Sequence, residues 1–468
     1  MSGDAPANED ATFARLNTEV IGPGLCTHCG TCVGLSRGGL EMRETSGGPL
    51  PSSLQSAEIA LPASAFDSCP GKGLNYPELC DQVFQRQPEN WLMGCWRKVY
   101  VGFSQVPEIR RAAASGGIIT QVLIHLMENG LVDGAVVVRQ GQPRPWQAEP
   151  IIATTVEEII ECSQSVYVPV PVNTILPRLE EFNGRVAYVG LPDHVASLRR
   201  LQQLGHRGVL KVDYVVGPYT GMGMYFGAIE SFLRSNHVTS LEEVTELRYR
   251  EGAWPGYLQI RTRSGKTLRT KKFYYNYLIP FYVTRSTLMS VDFTNELTDI
   301  SVGDAWHPRY EKQDQGFSVI VARSRKGEEV LASMQDQGTV SLEECTLQEA
   351  LSMHGHMLDF KKRGAFIRGG WRRAMGRPAP DYGYSPKQIS FNRKLVEIAI
   401  SLIFVVGGTG IARRLVELVP IAVLGPTFDA LRKGWRGFSK PAKRAGLSDF
   451  QVDTWTGAKA ATRPGRRP

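Results

Sequence analysis

Cysteine is sparse in this 468-residue chain: eight residues are too few to staple a chain of this length into a disulfide scaffold. Four of the eight fall in one tight arrangement, which points to metal in a reducing compartment. Met1 to Val20 lacks an apolar core segment and holds four acids against one arginine, so it reads as neither a secretory signal nor an Arg-rich transit peptide. The expectation is a cytoplasmic protein. Towards the C-terminus, Ile398 to Ala412 is free of charge for only fifteen residues and contains Gly407, Gly408 and Gly410. That is short of the ~20 residues a spanning helix needs. Apolar residues at 42% and charged residues at 21% are ordinary globular usage.

The net charge of +8 is unevenly placed. Residues 361–468 carry 22 Lys and Arg against 6 Asp and Glu, a balance of +16, and subtracting this leaves −8 for residues 1–360. The basic character belongs to the tail.

After a polar leader (1–21), residues 22–97 are rich in Gly, Cys, Pro and Ser without a helical or strand period over 22–80, as expected of a loop-rich unit held by a metal centre. An α/β domain (98–360) follows. Its first half alternates: strands at Val99–Gly102, Ala135–Val138, Val186–Val189 and Val209–Val216, with helices at Gly117–Asn129 and Val195–Leu204, an order that favours parallel pairing. Through Tyr257–Arg263, Thr267–Phe273, Ile300–Val302 and Phe317–Ala322 the period is nearer two, which predicts antiparallel or mixed pairing, and a helix at about 327–336 follows. Residues 361–390, rich in Arg, Gly and Pro, read as a linker, and 391–468 as a basic, partly amphipathic helical tail.

The strongest chemical signal is Cys26-Thr-His-Cys29-Gly-Thr-Cys32 with a later Cys69-Pro70. Three thiolates at two-residue intervals wrap one face of a cubane and a distant fourth closes it, so the pattern reads as [4Fe–4S]. Zinc is the rival, because His28 lies inside the motif, but zinc sites usually pair two C-x2-C knuckles. Cys80, Cys95, Cys162 and Cys345 are scattered and read as structural thiols. The segment Ala114-Ser115-Gly116-Gly117-Ile-Ile-Thr120 opens a helix with a small-residue turn, which suits either a phosphate seat or a plain N-terminal turn.

Together, CTHCGTC at 26–32, SCPGKG at 68–73, ASGGIITQVLIHLMENGLVDGAVVV at 114–138, YVGLPDHVASLRRL at 188–201 and DFTNELTDISVGDAW at 292–306 resemble the beta subunit of coenzyme F420 hydrogenase and dehydrogenase, over about 22–340. The resemblance implies an iron–sulfur flavoprotein oxidoreductase. A ferredoxin-like N-terminal unit with one [4Fe–4S] cluster would serve FAD in a mixed-sheet α/β domain, and FAD would exchange hydride with a substrate such as a deazaflavin. It further implies that Ser115, Gly116, Gly117 and Thr120 line the flavin, with Gly303, Asp304 and Trp306 facing the same cavity, and that a protein such as a ferredoxin supplies electrons. No residue is assigned to the chemical step. Some members carry cysteines for a second cluster at places that here hold Asp193, Tyr219, Thr220, Thr287 and Ser290, so a single cluster is implied. A catalytically degenerate accessory or binding protein with a structural cluster is the alternative.

Other residues admit two readings. Asp193-His194 fits an acid–base pair or a helix cap, and His307 a proton donor or a turn. Tyr274 to Tyr277 with Phe281 and Tyr282 fit a substrate platform or core. In the tail, basic pairs flanking apolar stretches, and Trp435 among basic residues, fit either an anionic membrane surface, with the protein peripheral at the inner face, or a solvated basic tail packing partly on the acidic body. Nucleic acid is disfavoured, since Arg363, Arg368, Arg372 and Arg373 come with no nucleic-acid fold.

Overall fold

The computed structural model describes residues 9–54, 61–313 and 315–454. Of the polar leader, Glu9–Leu16 is an α-helix continued by a π-turn at Asn17–Ile21, because Leu16 and Val20, one turn apart, are both buried. The cysteine-rich unit then holds a short helix, Thr31–Leu35, an antiparallel hairpin of β1 (Leu40–Thr45) and β2 (Gly48–Ser53), and helices Ala63–Asp67 and Tyr76–Phe84.

The body is built on an eight-stranded sheet. Its strands are β3 (Lys98–Ser104), β4 (Gly134–Gln140), β5 (Ala148–Ala153), β6 (Val186–Val189) and β7 (Val212–Pro218). After three strands that form a separate antiparallel sheet, β8 (Val244–Glu251), β9 (Tyr257–Thr262) and β10 (Thr267–Lys271), come β11 (Ile300–Asp304), β12 (Ser318–Ala322) and β13 (Val340–Glu344). The order across the large sheet is β13-β3-β12-β11-β7-β6-β4-β5. The central row β11-β7-β6-β4 is parallel, and every other pairing is antiparallel. The parallel strands are near-continuous apolar runs, as required when both faces are covered. β3 does not join that row: it pairs antiparallel with β12 and β13. β7 begins at Val212, because residues 207–210 close a helical turn first.

Alternate side chains feed two cores. Val99, Val101, Val136, Val319 and Val321 point to the face packed by the cysteine-rich unit and helix Pro192–Gln203, while Tyr100, Val137 and Ile320 point to the face packed by helices Ile118–Glu128 and Arg325–Asp336. A third core joins β8, β9 and β10 to Tyr275, Tyr277 and Tyr282, which accounts for much of the tyrosine cluster as packing.

The segment expected as a linker is instead interior over its first half. The chain is helical from Gly355 to Ala374, and Lys361, Lys362, Arg363 and Arg368 are buried. Lys362 pairs with Glu296 and Arg368 with Glu397, both distant in sequence, Arg363 pairs with Asp359 one helical turn back at 2.6 Å, and Lys361 Nζ donates to the Thr287 carbonyl at 3.0 Å. Arg393, at the start of helix Phe391–Gly407, joins Asp359 at 2.8 Å and Glu397 at 2.7 Å, and both carboxylates are fully buried. The helices Phe391–Gly407, Gly410–Glu417 and Ile421–Arg444 lie on the outside of this network. Two short strands, β14 (Tyr384–Pro386) and β15 (Val452–Thr454), close the described chain. No single described helix is long and apolar enough to cross a membrane, and the pair Phe391–Gly407 and Gly410–Glu417 is bent by 74°.

Candidate functional site

The loop of Cys26, Cys29 and Cys32 turns at Gly30, whose φ of 83° suits glycine. A Cβ there would also lie 2.8 Å from the Pro171 carbonyl, so the loop sits hard against the body. Behind it the Thr31 hydroxyl is a hub. It lies 3.3 Å from the Cys29 sulfur and 2.7 Å from the Ser197 hydroxyl, and it accepts a hydrogen bond from Asn173 Nδ2 at 2.9 Å. Asn173 in turn accepts from the Tyr188 hydroxyl, and its backbone N–H donates to the Cys29 carbonyl at 2.9 Å. Cys69 arrives from the other side on the turn Pro70–Lys72, with Gly71 packed against Val20 and the Leu25 carbonyl.

Burial raises the affinity of all four thiols for their protons. Neighbouring thiols add to the effect, Cys29 most strongly on Cys26, Cys32 and Cys69, and the Cys69 thiol is pushed up to about 12. The mutual influence means the four sulfurs are gathered in one place. Among the described residues, however, no three Cys, His, Asp or Glu side chains converge as ligands of one ion.

A cavity of about 1830 Å³ opens beside this loop. It lies at the carboxyl ends of the parallel strands, lined by Val189 to Asp193 after β6, Pro218 to Met224 after β7 and Val302 to Asp304 of β11, the usual place for a ligand in an open α/β sheet. Thr27 and His28 of the cysteine loop line it too. His28 Nδ1 meets the Pro49 carbonyl at 2.8 Å, while its Nε2 is buried without a partner.

Of the residues expected to face the flavin, Ser115, Gly117, Thr120, Gly303, Asp304 and Trp306 all line this cavity, and Gly116 does not. Gly116 is pinned to the sheet: its N–H donates to Ser318 Oγ at 3.1 Å, its carbonyl accepts from the Ser104 N–H at 2.7 Å, and a Cβ would stand 2.7 Å from the Gly102 carbonyl. Gly303 makes room for Tyr219, whose ring would be 2.5 Å from a Cβ there.

Asp304 is the anchor of a buried charge cluster. Arg250 Nη1 donates to its carboxylate at 3.0 Å, and Lys272 Nζ lies at 3.7 Å. Burial opposes ionisation of Asp304, but the two cations outweigh it and hold the carboxyl below its usual range. The His354 ring N–H donates to the Asp304 carbonyl at 2.8 Å, the rings of Trp254 and Trp306 stack with centroids 4.7 Å apart, and Arg250 Nη2 is buried without a partner. Pattern reading missed Arg250 and Lys272, which look like ordinary charged positions at β8 and just after β10.

Asp193 is not the cap of its helix. The helix starts at Pro192, the His194 Nδ1 accepts from the Leu191 N–H at 3.2 Å, and Asp193 lies in the first turn, facing the cavity. Burial raises its carboxyl to about 6, with Lys361 opposing and Asp292 adding. Tyr219, Thr220, Thr287 and Ser290 line the same cavity as Asp193 and Lys361, so hydroxyls, a carboxyl and an amine come together there. His307 accepts from the Arg309 N–H at 3.2 Å and caps a short helix, as a turn residue does.

Residues 99–177 match the N-terminal domain of the coenzyme F420 hydrogenase/dehydrogenase beta subunit, and residues 183–347 match its C-terminal domain, together more than half of the chain. A coenzyme F420-dependent sulfite reductase of Methanocaldococcus jannaschii is 24% identical over 366 residues, 75% of this chain and 52% of the relative, so the chain spans about half of that protein. A coenzyme F420 hydrogenase subunit beta of Methanothermobacter thermautotrophicus is 24% identical over 297 residues, 62% of this chain and 99% of the relative. Among solved structures, the F420-reducing [NiFe] hydrogenase complex of Methanosarcina barkeri aligns with a TM-score of 0.49 at 20% identity, over 62% of this chain and 97% of that one. The chain belongs to the coenzyme F420 hydrogenase/dehydrogenase beta subunit family.

Proposed function

We propose that this chain is an iron–sulfur flavoprotein oxidoreductase in which the four-cysteine site and the cavity form one redox path. The observation that carries the reading is their contact: Thr27 and His28, inside the cysteine motif, are wall residues of the cavity that Ser115 and Asp304 also line. Cys26, Cys29, Cys32 and Cys69 would hold a [4Fe–4S] cluster. The donor set fits: four thiols near enough to raise one another's proton affinity, three of them at two-residue spacing, suit a cubane, which spreads its cysteines over separate irons. The cavity fits FAD by its size and by its place at the strand ends, with Ser115, Gly117, Thr120, Gly303, Asp304 and Trp306 as contacts and Gly116 holding the loop to the sheet. When bound, the cluster supplies single electrons and the flavin a two-electron hydride.

The protein's own groups do the rest. Arg250 has a buried N–H without a partner at the cavity wall and, with Lys272, would orient an anionic part of a ligand. Trp306 lines that end, with the Trp254 ring centroid 4.7 Å from its own. The hydride partner is a deazaflavin-like or other acceptor, and the electron source is a protein such as a ferredoxin; relatives bear the names of hydrogenase and dehydrogenase subunits, which supports a protein partner. The C-terminal helices would seat the molecule on an anionic membrane surface.

Stepwise redox titration of anaerobic protein with candidate hydride acceptors tests this. Reduction of cluster and flavin, followed by reoxidation on adding an acceptor, is expected. A cluster that cannot be reduced, with no flavin present, would instead identify an accessory protein.

A further inference from the structure

The cavity is larger than a drug-sized ligand requires, about 300–1,000 Å³, and its far arm is built by the C-terminal helices. Ile400, Phe404, Val416, Leu424 and Phe428 line that arm together with Phe281 of the body, while Thr427, Ser439, Lys443 and Arg444 of the last helix line the cavity as well. The arm is continuous with the end formed by Arg250, Lys272 and Asp304. At its mouth stand Leu402, Ile403, Val406 and Leu431, each at least 45% exposed, beside exposed Arg436 and Lys440.

The outer surface of the same helices is unusually apolar. Among the described residues, thirteen of the sixteen exposed large hydrophobic side chains lie between Phe391 and Phe438, among them Val405, Ile411 and Leu418 at 67%, 75% and 79% exposure. Arg413, Arg414 and Lys433 lie among them in sequence. An apolar face with basic residues around it matches an anionic lipid surface in both hydrophobicity and charge. An apolar arm opening at that face leads from the lipid side to the charged end.

We infer that this arm receives the hydrocarbon chain of an amphiphilic substrate drawn from a lipid surface, the polar head of which reaches the Arg250 and Asp304 end. The inference rests on the redox reading for the word substrate; the binding of the chain stands on the cavity alone. Burying a chain one methylene at a time in a closed apolar arm gains about fourfold in affinity per methylene until the arm is full. Adsorption to an open surface has no such limit.

The test uses the full-length protein, without vesicles, and a photoactivatable diazirine derivative of 1-hexadecanol, with labelled residues mapped by mass spectrometry. Saturable labelling on Phe404, Phe428 or their cavity-facing neighbours is expected. Displacement by 1-alkanols from octanol to hexadecanol should strengthen about fourfold per carbon and then level off. Phe428→Trp, which fills the arm, should weaken displacement at least tenfold, whereas Val405→Ser with Leu418→Ser, on the outer face, should leave it unchanged. Labelling confined to the outer face, affinity without a plateau, or loss in the outer-face variant alone would each overturn the inference. Iron, sulfide and flavin are measured on the same preparation. Cofactors present without chain binding overturn this inference only, and chain binding without cofactors supports it while overturning the redox reading.

Discussion

Arg250 donates to the Asp304 carboxylate at 3.0 Å on a cavity wall, some fifty residues away in sequence and on a different sheet. Asp304→Asn would leave Arg250 and Lys272 buried with no carboxylate between them. The expected cost at pH 7 is about 3–5 kcal/mol, the usual penalty for breaking a buried pair from one side. Because the folded-state carboxyl is held below its ordinary value, the stabilisation is fully present above about pH 3.9 and is lost as pH falls towards the folded value. Urea denaturation of both proteins should therefore give the same difference at pH 7 and pH 5, narrowing only in stronger acid.

Thr31 connects Cys29 to Asn173 and Ser197. Thr31→Val keeps the shape and removes the hydroxyl, so all four cysteines remain and the cluster should still assemble. Loss of a hydrogen bond to a cluster sulfur should lower the midpoint potential, and the Asn173 N–H that loses its acceptor, while the amide keeps the His194 carbonyl and the Tyr188 hydroxyl, should cost about 1 kcal/mol. Potentiometric titration followed by thermal unfolding reads both. An unchanged potential would remove Thr31 from the tuning of the cluster.

Arg393 compensates Asp359 and Glu397 where neither reaches water. Arg393→Met should destabilise the protein by about 3–5 kcal/mol and loosen the C-terminal helices first. Limited proteolysis should then cut near residue 391 at least tenfold faster than in the wild type. Arg393→Lys, which keeps the charge but on a single nitrogen, should lie between them.

The outer face of the C-terminal helices gives a separate expectation. Val405→Ser with Leu418→Ser should lower partitioning onto phosphatidylserine-containing vesicles about tenfold, and salt should weaken the wild type as well, since basic residues surround the face. Binding to uncharged vesicles equal to that of anionic ones would argue against the charge contribution.

Much of this site is legible in the sequence where the chemistry is local. Three cysteines at fixed spacing need no tertiary knowledge, and the small-residue turn that opens the helix after Gly117 is visible locally, whereas Gly303 and Asp304 are expected at the cavity only through the family resemblance. Residues whose meaning depends on distant partners are not legible. Lys362 and Arg368 look like solvated basic residues until Glu296 and Glu397 are seen beside them. β3 reads like its parallel neighbours, because period alone does not carry strand direction, and it pairs antiparallel with β12 and β13. Gly116 and Gly117 are adjacent and chemically identical, but one is spent on the sheet and the other on the cavity wall.

Analysis of iron, acid-labile sulfide, zinc and flavin in protein isolated without oxygen decides whether the cysteines and the cavity form a redox path. Iron and sulfide in equal amounts, at the stoichiometry of one [4Fe–4S] cluster per chain, with releasable FAD and no zinc, are expected. Each of Cys26→Ser, Cys29→Ser, Cys32→Ser and Cys69→Ser should lower the iron content. A well-folded, colourless protein with stoichiometric zinc and no flavin would contradict it.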